Sequence, residues 1–264
     1  MKKLLILIVL GLILGSCSEY QKAFRSEDPE KQKAAAINMY DKKKYGKAIR
    51  LFEIIAPVYK GKSGEENVSY MFGMAYYNTK QYYLAAYQLE SFSSSYPKDA
   101  RSEEASFLAA KCFARLSPVY SLDQTDTEKA IYKIQDFIDR YPNSTYMTEA
   151  NAIAKDLRVK LEKKAFEVAK QYNTIQDYKA AQVAFDLFLS EFPGTVFKEE
   201  ALYLKLDSAY RLAINSVPAK MHERLLNAKA AYQSLVKFKA DSQFKTKADD
   251  MLATIDKELQ QFSK

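Results

Sequence analysis

Three stretches of the chain carry the same order of apolar and polar positions and align without a gap: 85–105, 130–150 and 181–201. In each, an alanine is followed four residues on by Leu89, Ile134 or Phe185. Three residues further come Phe92, Phe137 or Phe188, and four further Tyr96, Tyr141 or Phe192, each followed at once by Pro97, Pro142 or Pro193. Steps of four, three and four place these side chains on one face of an α-helix, and the proline ends it. Two residues past each proline stand Asp99, Ser144 and Thr195, which predict N-caps for a following helix. Glu104, Glu149 and Glu200 then fall in its early turns, where the helix dipole favours acids. Each copy therefore predicts helix, tight turn, helix, with an apolar face that only a neighbouring copy can cover. Elsewhere, long stretches rich in Ala, Leu, Lys and Glu and free of Gly and Pro extend the helical reading. No run of alternating β-branched residues with turn signals argues for strands.

The phase resembles the tetratricopeptide repeat, whose period is about 34 residues. Phe72, Gly73 and Tyr76 occupy the large, small and aromatic positions of a first helix, and Tyr82, Ala85, Leu89 and Pro97 those of a second. A further copy holds Val168, Ala169, Tyr172, Tyr178, Ala181, Phe185 and Pro193. Weaker ones hold Tyr45, Ala48 and Phe52, and Ala228, Tyr232, Leu235 and Phe238. The expected fold is all-α: an α-solenoid of about five tetratricopeptide-like helix pairs with a C-terminal capping helix. The pairs are placed at 30–60, 66–97, 100–142, 145–193 and 196–239, and the cap near 242–262. A loop near 117–126 breaks the period in the third pair, and the fourth pair has a long first helix.

The start of the chain has a different pattern. Lys2 and Lys3 precede an apolar run, Leu4 to Leu14, broken only by Gly11. The run has the length of a signal-peptide core and falls short of the ~20 residues a membrane-spanning helix needs. It ends in Leu14-Gly15-Ser16-Cys17, which resembles a bacterial lipobox. The resemblance implies cleavage after Ser16 and lipidation of Cys17, with Ser18 favouring the outer membrane and a periplasm-facing protein. Three segments follow: a signal peptide (1–16), a lipidated tether (17–29) and the repeat region (30–264). Fully extended, the tether reaches roughly 40 Å at most.

Charge and candidate chemistry change this picture little. The formal net charge is +7, and loss of Lys2 and Lys3 leaves +5, spread among acidic residues. An interspersed excess of that size is an ordinary solvated helical surface, and export argues against nucleic acid. Cys112 lies in the apolar segment 107–113 and reads as a small core residue, and His222 has no second His or Cys for a metal site. Gly61-Lys62-Ser63 lacks the first glycine and the preceding strand of a phosphate loop and reads as a turn. Glu90-Ser91 is similar to the Glu-Ser of lytic transglycosylases, but Glu90 falls mid-helix between Leu89 and Phe92. The pairs Glu103-Glu104, Glu199-Glu200 and Asp249-Asp250 splay around helices and do not converge. Neither a catalytic centre nor a cofactor is expected.

A lipobox, about five helix pairs, and an aromatic-Pro-x-[Asp/Ser/Thr] turn followed by Glu-Ala resemble together the BamD family, the lipoproteins of the outer-membrane β-barrel assembly machine. That resemblance implies no catalysis. It implies a periplasmic scaffold anchored to the outer membrane through its lipid. C-terminal repeats would bind the POTRA region of a BamA-like barrel protein, and N-terminal repeats unfolded outer-membrane proteins. Repeat phase places Lys33, Ile37, Tyr40, Asn67, Tyr70, Met74 and Tyr77 on the first-helix face of the first two pairs, a candidate peptide groove. The alternative for these residues is packing between repeats. Alternatives for the chain are another periplasmic repeat scaffold of a cell-envelope complex, or a glycan-binding lipoprotein.

Overall fold

A computed structural model describes residues 19–262, so the signal segment 1–16, Cys17 and Ser18 lie outside the described residues. The described residues form twelve helices and no strand. They are α1 (Glu19–Phe24), α2 (Pro29–Asp41), α3 (Tyr45–Tyr59), α4 (Glu65–Asn78), α5 (Tyr82–Ser95), α6 (Ser102–Leu116), α7 (Thr125–Arg140), α8 (Met147–Thr174), α9 (Tyr178–Glu191), α10 (Lys198–Ile214), α11 (Pro218–Phe238) and α12 (Lys245–Gln261). The fold is all-α. The pairs α2–α3 through α10–α11 fall where the repeat phase puts them, and α12 follows as the expected cap.

The described residues divide into two compact units: 19–117 with 125–154, and 118–124 with 155–262. In the first, each helix from α2 to α7 packs on the next. Its core alternates large and small side chains: Phe52, Leu89, Phe92, Phe107, Ile134 and Phe137 against Ala48, Ala85, Ala105 and Ala130, all essentially inaccessible to solvent. Cys112 is fully buried in this core, and burial pushes its thiol up to about 12, so it serves as a small apolar residue. In the second unit, Phe166, Phe185 and Phe188 form one cluster, and Leu202, Leu206, Leu225, Leu235 and Ile255 another. The α12 cap covers α10 and α11 with Ala248 and Ile255, fastened by Tyr232 donating to Asp249 at 2.7 Å and by Lys229 pairing with Asp256 at 2.7 Å. Leu122 of the period-breaking loop accepts from Lys164 Nζ at 2.7 Å, and Lys163 Nζ lies 4.3 Å from the centre of the Tyr120 ring. The long α8 and the extra loop are thus one insertion: additional turns of helix cover additional chain.

Three turns inside the pairs share a geometry that the scarcity of glycine conceals. Lys43, Lys80 and Gln176 adopt φ of 56°, 60° and 67°. The next residue donates back around the helix end: Lys44 to Met39 at 2.8 Å, Gln81 to Tyr76 at 3.0 Å and Asp177 to Tyr172 at 2.9 Å. This is the Schellman closure, built on side-chain-bearing residues where glycine is usual, at a cost of roughly 1 kcal/mol each.

Two expectations are corrected. Asp99, Ser144 and Thr195 are not the N-caps. Their side chains accept from the N–H two residues on, at 2.9, 3.0 and 3.2 Å, and the helices begin after that turn. Ser242 does the same ahead of α12, accepting from Phe244 at 3.1 Å. A short polar side chain after proline serves equally well in such a turn and in a cap, so spacing alone does not separate them. The 17–29 segment is also not a plain tether, because Glu19–Phe24 is helical and buries Ala23. Six residues do not hold a helix unaided, so this turn exists through its packing on α2.

Gly73 is required by close approach. A Cβ there would lie 2.8 Å from Leu89 Cδ2 and 3.3 Å from its backbone nitrogen, and Leu89 is fully buried. Gly73→Ala should therefore lower stability by about 1–2 kcal/mol, overpacking outweighing the helix propensity gained. A fall in the urea midpoint at unchanged slope checks this; an unchanged or raised midpoint would show that α4 and α5 can move apart.

Candidate functional site

The candidate groove lies within the first unit, on the face made by the first helices of successive pairs. Lys33, Ile37 and Tyr40 are on α2, and Asn67, Tyr70, Met74 and Tyr77 on α4, at helical spacings. α2 and α4 are in direct contact, and all of these residues are half-buried. The turn before α6 and α6 itself extend the face with Arg101, Glu104 and Lys111, and Tyr146 follows ahead of α8.

The arrangement is built by a ladder at the period of the repeat. Tyr70 donates to Glu104 at 2.7 Å and Arg101 donates to Asn67 at 3.0 Å, each spanning 34 residues. In the second unit Asn173 donates to Asp207 at 2.9 Å across the same interval. Desolvation, then the bond to Glu104, pushes the Tyr70 hydroxyl well above its usual range. Burial and the Glu104 charge also raise Tyr40 and Tyr146, so one carboxylate sits among three tyrosines. Arg101 is anchored by Asp99, with Nη2 2.7 Å and Nε 2.9 Å from its carboxylate oxygens, and its guanidinium lies 4.8 Å from the Tyr70 ring centre. Those bonds pull the Asp99 carboxyl down to about 2. Further along, Lys111 pairs with Glu149 at 2.7 Å.

The predicted residues divide by what they already touch. Asn67 and Tyr70 spend their polar atoms between repeats, as the packing alternative has it. Lys33 is drawn to the start of the face, 4.5 Å from the Tyr59 ring centre and 3.8 Å from Glu30. Tyr40 and Tyr77 contact Tyr45 and Tyr82 through their rings, at 5.4 and 6.4 Å, and their hydroxyls have no hydrogen-bond partner among the described residues. Ile37 and Met74 add half-buried apolar surface. The face presents aromatic edges, flexible apolar side chains and hydroxyls, the chemistry that suits an extended peptide of variable sequence. Arg101, Glu104 and Lys111 were not foreseen here. Helix position alone marks Glu104 as a dipole-favoured acid; the signal in the chain that it does more is its 34-residue spacing from Tyr70.

The second unit carries another surface feature. A groove of about 640 Å³ on α8 and α9 is lined by Val168, Tyr172, Val183 and Leu187. Val183 and Leu187 are each 66 % exposed. These are large apolar side chains at the outer positions of a helix whose Ala181, Phe185 and Phe188 fill the core.

Glu90, Glu199 and Glu200 are held by structural partners. Glu90 pairs with Lys133. Glu199 binds Lys239 and Ser242, each at 2.8 Å, while Glu200 pairs with Lys170 at 2.8 Å. Gly61 donates to Glu65 at 2.6 Å in the α3–α4 turn. Among the described residues no group of His, Cys, Asp and Glu is arranged to hold a metal ion.

The model of the YfiO family, described as outer membrane lipoprotein, matches residues 27–225. The chain is similar to outer membrane protein assembly factor BamD of Caulobacter vibrioides, 27 % identical over 145 residues, 55 % of this chain and 48 % of that protein. That match spans less than half of the Caulobacter protein's length. The chain is also similar to BamD of Rickettsia prowazekii, 25 % identical over 223 residues, 83 % of this chain and 88 % of that one. With BamD of Neisseria gonorrhoeae it shares 24 % identity over 227 residues, 80 % and 85 % of the two chains.

The Asp99–Arg101 clamp makes a pH prediction. The folded-state pKa of Asp99 lies below the ordinary 3.8, so its stabilisation is complete above that value and is lost as pH falls toward 2. Asp99→Asn should lower the melting temperature at neutral pH, and the gap from wild type should close between those two values. A gap that persists at the acid end would mean that the bond's geometry, and not its charge, is what matters.

Proposed function

The chain belongs to the YfiO family of outer membrane lipoproteins, and on that premise we propose that it is a non-enzymatic scaffold in the assembly of outer-membrane β-barrel proteins. Cys17 carries the lipid that anchors the chain to the outer membrane, and the repeats face the periplasm. No helix among the described residues is long and apolar enough to cross a bilayer. Unfolded outer-membrane proteins bind the first-helix face of the N-terminal pairs, at Lys33, Ile37, Tyr40, Asn67, Tyr70, Met74 and Tyr77. The POTRA region of a BamA-like barrel protein binds the C-terminal repeats. Neither nucleic acid nor a cofactor takes part.

The observation that carries the peptide reading is the tyrosine-rich face of α2 and α4, where Tyr40 and Tyr77 keep hydroxyls without partners among the described residues. A solvated helical surface does not concentrate half-buried aromatics in this way. Because Tyr70 also ties α4 to Glu104, the informative variant is Tyr40→Ala with Tyr77→Ala. It should retain the wild-type melting curve and bind a peptide from an unfolded barrel protein about tenfold more weakly, about 1.4 kcal/mol. Unchanged affinity in the folded double variant would remove the groove assignment.

The apolar groove on α8 and α9 supports partner docking in the C-terminal repeats. Mild-detergent capture of the tagged protein, followed by mass spectrometry, should return a BamA-like barrel in stoichiometric amount. Val183→Asp with Leu187→Asp should lose the barrel while peptide binding persists, since a charge placed in a desolvated contact is costly. Capture of a different envelope complex, or of glycan in place of the barrel, would move the chain to one of the other scaffold readings.

A further inference from the structure

We propose that the turn joining α2 to α3 is a docking surface for anionic lipid headgroups. Lys42, Lys43 and Lys44 form this turn, and Lys47 and Arg50 follow on the first turns of α3. All five are exposed, and none forms an ion pair among the described residues. The positive φ of Lys43 bends the chain back, so the consecutive lysines crown the end of the pair. A depression of about 650 Å³ lies there, lined by Tyr20, Lys43, Lys44, Lys47 and Arg50 and by no carboxylate. Asp41, just before the turn, is the nearest acid in sequence. The five basic residues fall within nine positions of the chain, and the fold leaves them exposed together at one end of one pair.

What selects a membrane over an acidic protein is the position of Tyr20. Its ring lies 5.2 Å from Lys47 Nζ, so α1 is laid against the basic turn. Tyr20 is three residues from Cys17, a reach of about 11 Å at most. The inference rests here on the proposed anchor: if Cys17 carries acyl chains, a link this short lets the basic turn come within a Debye length, about 10 Å, of the headgroups. A polybasic cluster beside a lipid anchor adds an electrostatic signal to the hydrophobic one and fixes how the repeats hang from the membrane.

The test removes the acyl chains and keeps the charges. The mature chain carrying Cys17→Ser is sedimented with phosphatidylcholine vesicles and with the same vesicles enriched in phosphatidylglycerol. The expected result is binding to the anionic vesicles only, weakened by added salt and reduced about tenfold or more by Lys43→Gln, Lys44→Gln and Lys47→Gln together. A control with the same charge change elsewhere, Lys155→Gln, Lys179→Gln and Lys220→Gln, should bind like the parent. No preference for anionic vesicles would overturn the proposal and leave the turn to an acidic protein. Equal losses in the two triple variants would also overturn it, by reducing it to net charge. Unchanged melting curves confirm that both variants are folded. Whether the native protein bears acyl chains on Cys17 is read separately from its intact mass, so failure of the anchor and failure of the basic turn are told apart.

Discussion

A pair of helices of this length cannot bury its own apolar face, and everything else in the molecule follows from how the next pair is brought down upon it. The coupling is made at the proline turn. Phe92, Phe137 and Phe188 end each second helix in the core, and the aromatic four residues on returns against them, at 5.5, 5.4 and 5.6 Å between ring centres. Beyond the turn a second plane is laid down. Tyr146 stacks on Phe107 at 4.5 Å, Phe197 on Phe166 at 5.1 Å and Phe244 on Tyr203 at 4.3 Å, nearly parallel in each case. In the second pair the position is taken by Arg101, whose guanidinium covers Tyr70. Stacked planes fix rotation as well as distance, so each turn sets the register of the helix that follows.

That substitution of arginine for an aromatic is what differentiates the candidate groove. A ring at position 101 would only pack. A guanidinium packs and also reaches Asn67 while held by Asp99, leaving Glu104 for Tyr70. The Arg101–Asn67 rung of the polar ladder over α4 and α6 thus comes from one planar side chain replacing another at a structural position. Tyr40 and Tyr77 remain beside the ladder with their hydroxyls uncommitted among the described residues. Rigid backbone with adaptable aromatic edges is the combination a binder of many extended sequences needs.

The two units use the same device for different surfaces. The first keeps its tyrosines on the first-helix face. The second exposes Val183 and Leu187 from α9, a helix whose inward face obeys the same alanine-to-proline pattern as α5 and α7. Inward positions are dictated by the core and recur between copies, while outward positions are released from it and carry whatever distinguishes one copy from the next.

The fold was legible in the chain because its determinants are local and repeated. Alanine, apolar, phenylalanine and aromatic at helical steps before proline specify a helix, its buried face and its end, and three copies in phase specify that pairs stack. The buried thiol of Cys112 and the splayed acidic pairs follow from the same periodicity. What the sequence left open depends on contacts between residues far apart in the chain. Asp99, Ser144 and Thr195 satisfy cap and turn alike until the helix start is seen. Residues 19–24 are helical because α2 is there to pack on. Tyr70 and Tyr77 share a helix face and a residue type, yet one is tied across the repeat and the other is not, since only tertiary structure places Glu104 beside the first. Periodicity determines which side of a helix is buried; which partner waits there, and so which side chains remain free to bind something else, is decided by the stacking of one pair upon another.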